Sequence, residues 1–533
     1  MVWGGKQVKD RKRDFMSGVA LLTFSAACAK ICGMLFKIPL VSVIGDAGMG
    51  YFNSAYVIYT FFYVLSTSGL PVGLSILVSE SIDQRQRIGY LRCGLFLFGG
   101  LGFFLCAIML LFPQKLAFVI GNPGAALSIR IMGPALPAVC LSGCLRGFYQ
   151  GKKNMMPTAV SQVIEAFFKT AAGIALAFSA VAAGCDAKVS SAMGLAGVTL
   201  GSILSLIYLI VVYVRDAEKG QGDPDFASAK RHLFKTCKRM LAVVLPVSGA
   251  SVVVSISSVI DLSVIMRGLV SHGADIDLAN QLYGNYSGSA VPLFNLPSVL
   301  IAPIASAVIP FLAQREEGVQ SKVLSGLSLR LATMVAAPCA VGLAVLSYPI
   351  LSLLFGARSA QSAAPLLMTL APAILFVGIQ TVSGAILQGC GYRKIPVISL
   401  ALGAVIKLLG CLLLVPRFGM MGAPLGTILC YFVSSGINLF CCIYKKAIQV
   451  HLVRDFILPS FAALICGTSA WGIYRLLPEG GFYTLCAIGA AIPIYLFVLI
   501  LFGLLDLRMA TFFPIIGKLP FLRGKNTSTD NSM

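Results

Sequence analysis

Eight lysines and arginines stand within, or at the ends of, long apolar runs: Lys30, Lys37, Arg130, Arg146, Lys169, Arg267, Lys407 and Arg475. A charge in such surroundings is costly, so it faces a partner or a water-filled cavity. Lys30 and Lys37 are seven residues apart, two helical turns, and so share one helix face. Arg267 stands at the matching depth of a downstream run, with Asp261 about two turns before it. Three cations so placed describe a positive cavity that would bind an anion, with Lys30, nearest mid-run, the strongest single candidate. The plainer reading is that Lys37 and Arg267 snorkel to lipid headgroups and that Asp261 neutralises Arg267. Glu165 and Lys169 are spaced i, i+4 with the acid first, the favourable order for a helical ion pair. They either neutralise each other structurally or take part in coupling. Lys407 has no acid near it in sequence on its own helix.

The elements that must position these charges are membrane spans. The chain has 533 residues, 58% hydrophobic and 11% charged, where a soluble domain carries roughly 25% charged residues. More than ten apolar stretches of about 20 residues or longer, joined by short polar loops, predict an all-α polytopic membrane protein. The net charge of +21 falls in alternate loops, a positive-inside pattern rather than a nucleic-acid-binding face. Nearly all 16 cysteines sit in apolar runs, where they behave as small apolar residues, and no disulfide framework is expected. His232, His272 and His451 lack metal-ligand spacing, so neither a metal site nor another cofactor is expected. The first apolar run, about 15–44, is too long for a signal-peptide core and reads as a retained helix.

Fourteen spans are predicted, at 15–44, 51–79, 92–112, 126–147, 157–183 and 192–214, then 239–270, 284–313, 327–354, 362–388, 395–415, 422–444, 456–475 and 482–505. Of 41 Lys and Arg, 29 lie in the termini and even-numbered connections and about four in the opposite loops, which places both termini in the cytoplasm.

The chain is internally duplicated. LRGFYQGKKNMMPTAVSQVIEAFFKT (Leu145–Thr170) has a weaker copy in AILQGCGYRKIPVISLALGAVIK (Ala385–Lys407), pairing Gln150 with Gln388, Pro157 with Pro396 and Lys169 with Lys407. Each copy reads as helix, tight basic turn, and a second helix opened by proline. YFN at 51 matches YGN at 283, and GLAGVTLGSIL at 194 matches GMMGAPLGTIL at 419. An even number of spans per copy makes the copies parallel. The expected organisation is a six-helix lobe over 1–225, a second pseudo-symmetric six-helix lobe over 226–455, and 456–533 holding helices 13 and 14 and a tail. The basic stretch Arg215–Arg239 reads as the linker between lobes. Gly197/Gly201 and Gly422/Gly426 would permit close helix packing, and Pro71, Pro134, Pro137, Pro303 and Pro372 mark bends that moving helices could use.

LRGFYQGKKNMMPTAVSQVIE, STSGLPVGLSILVSES at 66–81 and the stretch from Pro297 to Pro310 resemble the multidrug/oligosaccharidyl-lipid/polysaccharide exporter superfamily, within it the branch of the lipid II flippase and stage V sporulation protein B. The resemblance implies two six-helix lobes around a central cationic cavity in the bacterial cytoplasmic membrane. It also implies outward movement of a polyprenyl-pyrophosphate-linked saccharide by alternating access. Basic residues on helix 1 are important in that branch, and Lys30 and Lys37 stand where the motif carries them. Its arginines on helices 2 and 8 have no counterpart in YTFFYVLSTSGLP and NYSGSAVPLFNLP, which argues against lipid II itself as the substrate, and the likeness to the sporulation protein implies a spore-cortex or related envelope precursor. The implied partners are the lipid-linked saccharide, membrane lipids, a coupling ion and proteins of cell-envelope synthesis, with no nucleic acid.

Two other functions compete. A cation-coupled multidrug exporter would need embedded acids for a cationic cargo, and Glu165 is the one candidate. A membrane glycosyltransferase or polymerase would need clustered acids or histidines in a polar loop, for which SHGADIDLANQ, with Asp275 and Asp277, is the one candidate. The expectation is a transporter rather than an enzyme, with no catalytic residues.

Overall fold

The computed structural model describes residues 3–81, 83–216, 233–313, 319–478 and 480–504, with side chains of the first helix described from Gly33 onward. The described residues form helices and turns without strands. In a bilayer every backbone N–H and C=O must be satisfied internally, and a helix does this within one segment. In chain order the helices are α1 (Trp3–Thr67), α2 (Leu70–Glu80), α3 (Gln84–Leu111), α4 (Pro113–Val119), α5 (Ala126–Met132), α6 (Ala135–Gly151), α7 (Met156–Ala182), α8 (Ala187–Asp216), α9 (Leu233–Ser271) and α10 (Ile276–Gly284). Then come α11 (Val291–Ala313), α12 (Val319–Val345), α13 (Ser347–Phe355), α14 (Ala357–Leu370), α15 (Ala373–Gly389), α16 (Lys394–Phe418), α17 (Gly422–Tyr444), α18 (Leu458–Leu476) and α19 (Gly481–Leu501).

Among the described residues nine helices are long and apolar enough to cross a membrane, or eleven when each of two bent pairs counts as one span. One continuous stretch, Lys394–Tyr444, is 51 residues long. At 1.5 Å per residue that is about 76 Å, more than twice the roughly 30 Å hydrocarbon core. The stretch therefore holds two crossings, with the chain turning at Gly419 (φ 59°).

By packing, the chain forms two compact units, one of 1–292 with 408–423 and the other of 293–407 with 424–533. In the first, α1 is broken at Gly45 (φ 70°, ψ 177°), so the expected first two spans follow each other with a one-residue hinge rather than a loop. The Arg215–Arg239 linker largely falls at 217–232, outside the described residues. One expectation is corrected: Cys93 on α3 and Cys237 on α9 form a disulfide, with Cα atoms 5.9 Å apart across 144 residues. Helix packing alone brings these two thiols together, and nothing in their local sequence marks them.

The duplication recurs as geometry inside each unit. The expected fourth and tenth spans are each bent, by 41° between α5 and α6 and by 47° between α14 and α15. The bends lie at Pro134 and Pro372, which are 238 apart, the same offset as Gln150 and Gln388. The basic turns end their helices in the same way. Lys153 N–H donates to Gln150 O (2.9 Å) and Asn154 N–H to Tyr149 O (3.0 Å), while Gly391 N–H donates to Gln388 O (3.1 Å) and Tyr392 N–H to Leu387 O (2.8 Å). Both are Schellman caps, which need a left-handed residue after the helix. Gly391 (φ 89°) fills that position in one copy and Lys153 (φ 63°) in the other.

A Cβ at Gly391 would meet nothing within 4 Å, so Gly391→Ala isolates the backbone penalty. It should lower stability by about 1 kcal/mol in detergent unfolding experiments. Lys153→Gly, relieving the same penalty in the other copy, should not destabilise. A neutral Gly391→Ala would remove the shared cap from the account.

Candidate functional site

In the first unit, the segment of α1 after Gly45 carries Phe52, Tyr56, Tyr59 and Tyr63, spaced 4, 3 and 4 and so on one face. Their rings form a ladder with centroids 6.1, 5.9 and 6.0 Å apart. This ladder meets α7, which brings Glu165 and Lys169 to it. Behind α7 lies α8, and the Gly197/Gly201 pair fulfils its expected role. A Cβ at Gly201 would sit 2.6 Å from Glu165 O and 2.9 Å from Lys169 N, and one at Gly197 would collide with the backbone of Gly173. The two glycines thus let α8 touch the α7 backbone at the turn that holds both charges.

The ion pair differs from the expected one. Glu165 Oε2 accepts from Arg146 Nη2 at 2.8 Å. The same guanidinium donates to Ser161 Oγ and Ser205 Oγ, each at 2.9 Å. Lys169 turns instead to Tyr56, donating to its hydroxyl at 3.3 Å with Nζ 5.0 Å from the ring centroid. The i, i+4 spacing made a Glu165–Lys169 pair reachable, but a planar guanidinium arriving from α6 offers several N–H donors in a fixed fork. Arg146 stood out in the sequence only as a charge in an apolar helix, and no rule of spacing linked it to Glu165.

Lys37 precedes the Gly45 break and is partly buried. Its Nζ lies 3.4 Å from Ser287 O, and it is close enough to Lys169 for their like charges to interact. Ser287 belongs to a π-helical segment, Asn285–Ala290. Such segments are rare and cluster at functional sites. Among the described residues, Asn285 Oδ1 and Ser289 Oγ in this segment are buried without a hydrogen-bond partner, an arrangement native structures seldom leave unexplained.

One end of this region is closed by residues the sequence did not single out. Asn122 Nδ2 donates to Asn280 Oδ1 (2.7 Å) and to Ser54 Oγ (2.9 Å), and Asn280 Nδ2 donates back to Asn122 Oδ1 (3.2 Å). All three are fully buried. Tyr51 OH donates to Asp277 Oδ1 at 2.6 Å. Side chains at Gly50 and Gly284 would run into the backbones of Asn280 and Asp46. The repeat-related motifs YFN at 51 and YGN at 283 therefore lie in segments that pack against each other.

Arg267 is exposed and donates to Val119 O (3.2 Å), which also receives Ser263 Oγ (2.9 Å), so it caps the end of α4. Asp261 accepts from Cys411 Sγ at 3.7 Å. Lys407, in the second unit, is within electrostatic reach of Tyr431. Lys30 lies on α1, but its side chain is outside the described residues. Among the described residues no group of three or more His, Cys, Asp or Glu could hold a metal ion.

Residues 15–316 match the family described as polysaccharide biosynthesis protein. The chain belongs to that family. It is 26% identical over 495 residues to the uncharacterized membrane protein YabM of Bacillus subtilis, covering 90% of this chain and 91% of the relative. It is 24% identical over 528 residues to stage V sporulation protein B of the same organism, covering 95% and 99%. Against the lipid II flippase MurJ of Bacillus subtilis it is 25% identical over 448 residues, covering 79% and 80%. Among solved structures, the lipid II flippase MurJ in an inward closed conformation superimposes with a TM-score of 0.72 at 16% identity, covering 94% of this chain and all of that one. An inward-facing multidrug resistance transporter of the MATE family gives 0.59 at 16% identity, covering 78% and 94%. This member of the polysaccharide biosynthesis family is thus a multi-pass membrane protein of the superfamily that the sequence motifs indicated.

The pairing within the cluster is open to a double-mutant cycle. Arg146 and Glu165 side chains are 14% and 27% exposed, and their coupling energy should be on the order of 1.5–3 kcal/mol. The Glu165/Lys169 cycle should give less than about 0.5 kcal/mol, the scale of an i, i+4 pair at most. Unfolding of the single and double Gln or Met variants in detergent supplies both numbers, and the reverse order would restore the helical pair.

Proposed function

We propose that this protein is a flippase that moves a polyprenyl-pyrophosphate-linked saccharide, such as a peptidoglycan or spore-cortex precursor, across a bacterial cytoplasmic membrane by alternating access. The observation that carries this reading is the charge balance beside the aromatic ladder. Lys37, Lys169 and Arg146 face one acid, Glu165, which Arg146 holds at 2.8 Å. The cluster keeps about two positive charges, which complement the roughly two negative charges of a pyrophosphate, and cations in a low-dielectric site replace the hydration such a group loses. Lys30, one helical face with Lys37, would extend the same path. Relatives named for lipid II flipping and for sporulation support the cargo class.

The lobes of this transporter follow the duplication, 1–225 and 226–455, with 456–533 added. Both termini face the cytoplasm, as the loop charges argue. The seam at Asn122, Asn280 and Gly284 then lies at the outer end and is closed. The multidrug-exporter reading is weaker, because its cationic cargo needs an acid and Glu165 is already engaged by Arg146. The glycosyltransferase reading rested on two acids with other occupations: Asp275 caps α10 through Leu278 N–H (2.7 Å), and Asp277 receives Tyr51 (2.6 Å).

Lys37→Ala and Lys169→Ala should each lower translocation per inserted molecule on the order of tenfold, and the Arg replacements should keep most of it. Lys30→Glu should abolish translocation. These effects are measured by flipping of a labelled lipid-linked saccharide in vesicles and by complementation of a flippase-deficient strain. Full activity per molecule in Lys30→Glu and Lys37→Ala together would defeat the cationic-path reading. Reporter fusions after Lys153 and Lys394 should report cytoplasm, and those near Asp275 and Gly480 the outside. Agreement of all four on one side would overturn the topology.

A further inference from the structure

The connector between α17 and α18 lines an open surface pocket of about 640 Å³ that the transport reading does not use. His451 and Arg454 line it together with apolar Leu452, Leu458 and Phe502, the last at the end of α19. The connector also carries Lys445 and Lys446, and its single acid is Asp455. That acid is 1% exposed, and it accepts from Arg330 Nε at 2.7 Å and from the His451 backbone N–H at 2.8 Å. Its charge is paired with Arg330, which leaves Arg454 as the charged side chain among those lining the pocket. Next to the cations lie exposed apolar side chains, Leu452 at 64%, Val453 at 58% and Phe461 at 52%, and Phe461 packs on Phe502 with centroids 6.2 Å apart.

Cations beside exposed apolar residues, at helix ends where a bilayer surface lies, match the boundary between lipid phosphate and acyl chain. We propose that this cavity binds the phosphodiester headgroup of an anionic membrane phospholipid of the phosphatidylglycerol kind. The exposed apolar side chains beside it favour a lipid over a lone phosphate ion. Arg454 is suited to the phosphate because a planar guanidinium presents its N–H donors in a fork that matches phosphate oxygens, and it also donates to Gly503 O (3.4 Å). A headgroup held there would bridge the connector to the end of α19. The chain's own segment 505–533 carries four Lys and Arg against two Asp and is a poor counter-charge for this surface.

The test uses the full chain, purified and delipidated in detergent, with native mass spectrometry and thermal unfolding as readouts. Phosphatidylglycerol should remain bound and raise the unfolding midpoint, whereas phosphatidylcholine and soluble glycerol phosphate at equal concentration should do neither. Arg454→Gln should weaken phosphatidylglycerol binding about tenfold or more, and Arg454→Lys should retain most of it. His451→Gln guards against a folding defect, because His451 reaches Asp455 through its backbone N–H. It should weaken binding without lowering the lipid-free midpoint. Equal retention of the two phospholipids, or unchanged binding in both Gln variants, would overturn the proposal. Preferential displacement by undecaprenyl phosphate would overturn it as well, by making the cavity a cargo site.

Discussion

Holding cations inside an apolar helical bundle is the constraint on which the first unit depends. Each charge there needs a counter-charge, a ring face or an oriented carbonyl, and three of them use one of each. Arg146 takes Glu165, Lys169 takes the Tyr56 ring and hydroxyl, and Lys37 points at Ser287 O. These partners come from different helices, so the charges fix how α1, α6, α7 and the π-helical segment pack. Gly197 and Gly201 make the arrangement feasible by letting two backbones touch where a side chain would hold them apart.

The same region joins stability to motion. A carboxamide pair such as Asn122–Asn280 is fully satisfied only while both buried groups stay together, which favours one discrete arrangement over a graded one. The π-helical segment beside it buries Asn285 Oδ1 and Ser289 Oγ without a hydrogen-bond partner among the described residues. A transporter that alternates between two states needs such a contrast between a seam that is complete and a segment that is not. Gly45, at a positive φ between the two segments of α1, supplies a point where the backbone can change direction.

Internal duplication explains why unlike residues do the same work. The Schellman cap after Gln150 and the one after Gln388 have the same hydrogen bonds, yet one uses lysine and the other glycine at the left-handed position. The proline bends repeat at the same offset, though the sequences around them have diverged. Backbone geometry has outlasted side-chain identity because the turn and the bend are set by hydrogen bonding and by the missing proline N–H.

Composition and the period of the apolar runs determined that this chain is a helical membrane protein, and self-similarity revealed its duplication, because both are properties of the one-dimensional pattern. The helix–turn–helix around Lys153 was legible for the same reason, since proline, glycine and capping chemistry act over a few residues, whereas packing decided that Pro134 and Pro372, of the five prolines marked, sit at the bends of the two bent pairs. The charges that matter were visible as anomalies within apolar runs, but their partners were not. Spacing offered Glu165 to Lys169, whereas packing gave it to Arg146 from another helix, and Arg267, placed with Lys37 by depth, caps α4 instead. Asn122, Asn280 and the Cys93–Cys237 bond carried no local signal at all. Which groups meet across 144 or 158 residues depends on how helices rotate and cross, and only the tertiary structure decides that, since a helix's sequence fixes its faces but not its neighbour.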